Sequence, residues 1–132
     1  MKMFEIAESD FTVEEIIGSM SAGNPEVGGI VAYVGVVRGS SEGGEVEGIE
    51  FEHDEKAIGK VMELADKALE DFEIEDVAIV HRVGRLEVGD KLLFIAMSAS
   101  HRQAAFDACT SLIDAIKVIH STWAKESYKK DS

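Results

Sequence analysis

An α+β fold with a mainly antiparallel sheet and flanking helices is predicted by three observations. Strand-length apolar runs and helix-length amphipathic stretches follow one another without the regular β-α-β alternation of a doubly wound fold. Residues 46–53 alternate with period two, Ile49 and Phe51 to one side and Glu50 and Glu52 to the other, which is the pattern of a half-buried strand. The chain has 132 residues, 45% hydrophobic and 30% charged, and so fits one globular domain over 1–132.

The elements follow in order. Residues 3–7 form a short first strand. Thr12-x-x-Glu15 is a capping-box pattern that opens a short helix through Ile16 and Ile17, and residues 21–24 with Pro25 break it. Residues 28–37 are a continuous apolar run, predicting a strand buried on both faces and ended by Arg38. Residues 39–44, rich in Gly and Ser, read as a flexible loop. After the strand at 46–53, Asp54 caps a helix in which Ala57, Ile58, Val61, Met62, Ala65, Ala68, Leu69 and Phe72 recur at helical spacing. Strands at 77–83 and 91–98 flank a turn region at 84–90 with a short hairpin piece. Ser100-x-x-Gln103 is a second capping box, and its helix is expected to bury Ala105, Phe106, Cys109, Leu112, Ile113 and Ile116. The order expected is β-α-β-β-α-β-β-α, with no internal repeat or linker.

Charge excludes several classes of function. Twenty-six acidic residues against thirteen Lys and Arg give a net charge of −13, which argues against nonspecific nucleic-acid binding and anionic membranes. The single cysteine, Cys109, cannot form an intrachain disulfide and sits in the apolar pattern as a small core residue. No run approaches the ~18 apolar residues of a membrane span, and the apolar part of residues 1–10 is too short for a signal peptide. A soluble, cytoplasmic protein is expected.

Cationic groups bracket the last helix. With Ser100 as the cap, His101 and Arg102 fall where unpaired backbone N–H groups and the helix dipole can hold phosphate or carboxylate. First-turn cations oppose that dipole unless an anion offsets them; the plainer account makes them exposed first-turn residues. Arg38, between an apolar strand and a glycine loop, either solvates a strand end or contacts a ligand. Lys117 stands between Ile116 and Val118, where a lysine snorkels, pairs or is partly desolvated, unless it belongs to the helix's solvent face. Arg102 and Lys117 are fifteen residues apart, about 22 Å along a continuous helix, so one subunit cannot bring both to one small ligand. Two copies around a twofold axis can. His53, His81 and His120 have no metal-ligand spacing with one another or with Cys109, and are read as structural or exposed.

Taken together, these segments resemble the large, catalytic subunit of molybdopterin synthase. The resemblance spans about 28–126. It is carried by the G-x-V-x-x-V-R run ending at Arg38, the Glu52-His53 pair, His81-Arg82-Val83-Gly84 with Leu86 and Gly89-Asp90, Ser98-Ala99-Ser100-His101-Arg102 with Ala105-Phe106, and Lys117 followed by Trp123 and Glu126. It implies an alpha/beta-hammerhead type of fold and a homodimer at the centre of a heterotetramer. A small ubiquitin-like sulfur-carrier subunit docks at each end and threads a C-terminal Gly-Gly thiocarboxylate into the large subunit. Two sulfurs pass to cyclic pyranopterin monophosphate, opening the cyclic phosphate and giving the dithiolene, a step the resemblance implies needs no metal, nucleotide or other cofactor.

By the same resemblance Arg38, His101, Arg102, Lys117 and Lys125 bind substrate, and Lys117 and Lys125 serve catalysis. The family's second lysine directly follows the tryptophan; here Ala124 follows Trp123 and the lysine comes next, at Lys125. Lys129 and Lys130 are the candidates to replace contacts of a longer family tail. The alternative reading is a non-catalytic homologue that binds the pterin or the small subunit but has lost the second active-site lysine.

Overall fold

The computed structural model describes residues 1–129. In chain order the elements are β1 (Lys2–Ala7), α1 (Glu14–Ser21), β2 (Gly29–Val36), β3 (Ser40–Ser41), β4 (Gly44–Phe51), α2 (Glu55–Asp71), β5 (Asp76–Arg82), β6 (Gly84–Glu87), β7 (Lys91–Ala99), α3 (Arg102–Trp123) and β8 (Ala124–Tyr128). The larger sheet runs β1-β5-β7-β2, and only the β1–β5 pair is parallel. In the smaller sheet β4 pairs antiparallel with β3, β6 and β8. This is the α+β, mainly antiparallel architecture that the sequence predicts.

Alternation along β5 and β7 explains their continuous apolar runs. Val77, Ile79, Ile95 and Met97 face α2 and α3, while Ala78, Val80, Phe94 and Ala96 face Met20 and the other apolar residues around α1. The two central strands are therefore covered on both sides, and each fully buried Ile or Phe contributes about 1.5–3 kcal/mol. Asp54 caps α2 as expected, accepting from the backbone N–H groups of Lys56 and Ala57 at 2.9 and 3.1 Å.

Several expectations are corrected. β2 is not buried on both faces: it is an edge strand paired only to β7, with Val34 and Val36 39% and 46% exposed. An apolar run cannot by itself distinguish a central strand from an edge strand with a bare outer side. Neither capping box forms. α1 starts after Val13 and α3 after His101, both without a side-chain cap; Gln103 instead donates to Asp107, one turn on, at 2.9 Å. Phe106 is 53% exposed and not part of the core. The loop at 39–44 closes into a tight hairpin of β3 and β4, with Gly44 at φ 121°.

β8 is the element the sequence reading lacks. Its Ala-Lys-Glu-Ser-Tyr segment is too polar to show as a strand, and what orders it is the backbone of β4, from Val46 to Phe51. α3 passes into it without a loop: Trp123 closes the helix and Ala124 opens the strand.

Candidate functional site

The end of β2, the last turns of α3 and the small sheet enclose a two-lobed cleft. One lobe, of 370 Å³, is lined by Arg38, Val46, Phe51, Lys117, His120 and Glu126, among others. The second, of 320 Å³, shares Arg38, Leu92, Lys117 and His120 and extends over Tyr33 and Gly35. Each contributor is placed by its element. Arg38 leaves the end of the edge strand. Lys117 and His120 are three residues apart on α3 and so share a helix face. Ala124 and Glu126 are alternate residues of β8 and both line the larger lobe.

Beneath the cleft lies an aromatic cluster. The Phe51 ring stands 4.8 Å from His81 and 5.1 Å from Trp123, and His81 lies 4.6 Å from Trp123 between ring centroids. Trp123 Nε1 donates to the Glu52 carbonyl at 2.7 Å, which fixes the junction of α3 and β8 against β4. His81 is fully buried. Its Nδ1 lies 2.7 Å from the Arg82 carbonyl oxygen and its Nε2 lies 2.7 Å from His120 Nε2.

Burial holds both imidazoles neutral. It pushes His81 down to about 3, helped by the charge His120 would carry and opposed by the Arg82 carbonyl. His120 is pushed down to about 4 by burial. A carbonyl oxygen only accepts, so His81 Nδ1 carries that ring's hydrogen and its Nε2 is the acceptor. His120 must then donate from Nε2, which leaves the His120 lone pair on Nδ1.

The expected site residues are distributed unevenly. Arg38 and Lys117 come together in both lobes. Lys117 is exposed at the rim rather than desolvated within the apolar stretch. His101 and Arg102 lie apart, in a hollow of 420 Å³ with Gly28, Ser100 and Gln103 at the start of α3. Gly28 is required there, because a Cβ would collide with the Ser100 carbonyl oxygen. Lys125 is not brought to the cleft. Strand alternation gives the cleft side to Ala124 and Glu126, and Lys125 Nζ pairs with Glu52 Oε1 at 2.9 Å on the other face. That carboxylate raises the lysine's pKa.

Lys129 lies 3.9 Å from a Glu45 carboxylate oxygen; Lys130 lies outside the described residues. Cys109 is buried and burial pushes its thiol up, as befits a small core residue. The sequence reading did not place His120 in the cleft. Its signal was the three-residue spacing from Lys117, but the partner that orients it, His81, lies thirty-nine residues away in the chain.

Fold and cleft define a class: an α+β protein whose half-apolar cavity carries cations at the rim and a neutral imidazole in its wall, suited to a flat anionic substrate. The chain belongs to the MoaE protein family, whose model matches residues 6–119. It is 39% identical over 118 residues to a molybdopterin synthase catalytic subunit from Pyrococcus abyssi, covering 89% of this chain and 78% of the relative. It is 36% identical over 125 residues to another so named from Pseudomonas aeruginosa, covering 92% and 81%. Among solved structures, molybdopterin synthase from Staphylococcus aureus superposes with a TM-score of 0.80 at 28% identity, covering 99% of this chain and 95% of that one. A Burkholderia ambifaria molybdopterin biosynthesis MoaE protein gives 0.76 at 34%, covering 89% and 77%.

Proposed function

We propose that this chain is a catalytic subunit of molybdopterin synthase, acting as one domain over 1–132. It transfers sulfur from the C-terminal thiocarboxylate of a small ubiquitin-like subunit to cyclic pyranopterin monophosphate, forming the dithiolene. The observation that carries this reading is the meeting of Arg38 and Lys117 in one cleft on the family's fold. A guanidinium matches phosphate geometry, and an amine beside it is placed to handle the acyl group and its protons. Apolar Val46, Ile49 and Phe51 supply a floor for a heterocycle.

His101 and Arg102 enter from a second protomer across a twofold axis, since about 22 Å of helix separates them from Lys117 within one chain. The bare outer side of β2, with Val34 and Val36, supports such a homodimer, and a small subunit at each end makes it a heterotetramer. Lys125 acts from the outer rim, where it meets the incoming subunit and not the reacting atoms. The protein works in the cytoplasm; none of its described helices is long and apolar enough to cross a membrane.

The test is reconstitution with the thiocarboxylated small subunit and the cyclic pterin, followed by detection of the dithiolene product. Product that disappears in Lys117→Ala supports the reading. Tight binding of both partners without product would make the protein a non-catalytic homologue instead.

A further inference from the structure

Building on the proposed function, we propose that His120 is a catalytic residue of the cleft, whose Nδ1 takes the proton from the water that frees sulfur from the acyl carbon of the incoming tail. Four observations carry this. His120 lines both lobes together with Arg38 and Lys117. The 2.7 Å contact between its Nε2 and His81 Nε2, with His81 Nδ1 committed to the Arg82 carbonyl at 2.7 Å, orients the ring and assigns the hydrogens. His120 Nδ1 has no hydrogen-bond partner among the described residues. Nor is His120 Nδ1 sealed from solvent: among the described residues, Arg82 Nε is the fully buried side-chain nitrogen or oxygen left unpaired.

The rest of the cleft leaves this task open. Arg38 only donates hydrogen bonds, and the Lys117 amine serves the acyl group itself. Ala124 brings no functional group to the wall, and Lys125 is held on the far face by Glu52. Glu126 is the cleft's carboxylate, but it is solvent-exposed and no hydrogen bond among the described residues orients it toward a reacting water. A neutral imidazole with a free lone pair, held by a second histidine, is the geometry of a general base whose ring is oriented by a positioning residue. His81 is that positioning residue.

The step balances. Once the tail's sulfur has bonded to a carbon of the pterin side chain, the two molecules are joined through acyl carbon, sulfur and that carbon. Water oxygen bonds to the acyl carbon as Nδ1 takes one of its protons. The acyl carbon–sulfur bond breaks and its electron pair stays on sulfur. The tail departs as a carboxylic acid and ionises, and the imidazolium returns its proton to the sulfur. Water goes in; a carboxylate, a thiol and one proton come out, and nothing is oxidised or reduced.

Charged and titratable groups that share the cleft with His120 are Lys117 of its own helix, Arg38 after β2 and Glu126 of β8, with His81 of β5 behind it. β4 and β7 present apolar Phe51 and Leu92.

The experiment uses the reconstituted complex with wild-type protein, His120→Asn, His120→Ala and Lys117→Ala. Asn keeps an N–H donor for His81 but takes no proton. Expected for His120→Asn is a KM within about twofold of wild type, a kcat reduced about 100-fold, and loss of the acid-side limb of the kcat–pH profile. Added imidazole should restore rate to His120→Ala and not to Lys117→Ala. A His120→Asn kcat within about twofold of wild type overturns the inference and leaves the function standing. Wild-type protein without product overturns the function and the inference with it. Independently of turnover, nitrogen-15 NMR of the wild-type protein should show hydrogen on Nδ1 of His81 and on Nε2 of His120; the reverse assignment overturns the role given to Nδ1.

Discussion

Lys125 Nζ lies 2.9 Å from Glu52 Oε1, on the face of β8 that looks away from the cleft. Both side chains are largely exposed, so the pair itself adds little to stability. The two lysines should therefore separate cleanly in kinetics. Lys117→Ala is expected to lower kcat at least about 100-fold, whereas Lys125→Ala should stay within about threefold in kcat and act on the KM for the small subunit. Steady-state assays with each partner varied in turn check this, and equal kcat losses would place both amines at the reacting atoms.

Arg102 is a phosphate holder in the proposed dimer. A charge-assisted hydrogen bond contributes about 1.5–3 kcal/mol, so Arg102→Ala should weaken pterin binding roughly 10- to 100-fold. Docking of the small subunit should barely change. Calorimetric titration of each ligand measures the two effects separately, and equal losses would count against a phosphate-holding role.

Acid should destabilise the fold through the histidine pair. Folded-state values of about 3 for His81 and about 4 for His120 lie below the ordinary 6.5. The unfolded chain therefore binds more protons as pH falls below 6.5. The stabilising contribution is complete above that pH and is lost as pH drops through the folded-state values. Urea unfolding between pH 7 and 4 should show stability declining by about 1.4 kcal/mol per pH unit for each extra proton bound on unfolding. His120→Asn should flatten the decline, and an unchanged slope would show that the ring is not held neutral.

Gly28→Ala should lower thermal stability by disturbing the approach of β2 to the turn before α3. The new Cβ would meet the Ser100 carbonyl oxygen, and this glycine's N–H donates to the Ala99 carbonyl at 2.9 Å, so the backbone has little room to yield. A cost of about 1–3 kcal/mol is expected, as for overpacking elsewhere. Calorimetric melting checks it; an unchanged melting temperature would mean that the strand shifts freely.

The sequence carried the central strands and two helices because their apolar residues recur at the periods those elements require. It carried Asp54 as a cap because that side chain meets its own neighbours. It failed where the determinant lies elsewhere in the chain. Val34 and Val36 look like core until β2 is found to have one neighbour instead of two. Residues 124–128 look like a polar tail until β4 supplies hydrogen bonds to them. The same division runs through the site. Arg38 and Lys117 were legible as cations set against apolar runs. His120 was not, because its orientation comes from His81 and Arg82, two strand residues remote in sequence. The direction of Lys125 was not legible either, because only the alternation of a strand the sequence did not reveal decides which way it points.

The seamless passage from α3 into β8 makes the direction of each side chain there a matter of odd and even counting. With Trp123 anchored to Glu52, position 124 looks inward and 125 outward. Exchanging the two side chains, with Ala124→Lys and Lys125→Ala, would therefore deliver an amine to the interior without redrawing the backbone. Removing a single residue at the joint would turn every following side chain over at once. A hinge without slack thus acts as a selector, and chemistry is added to or taken from the interior by parity alone.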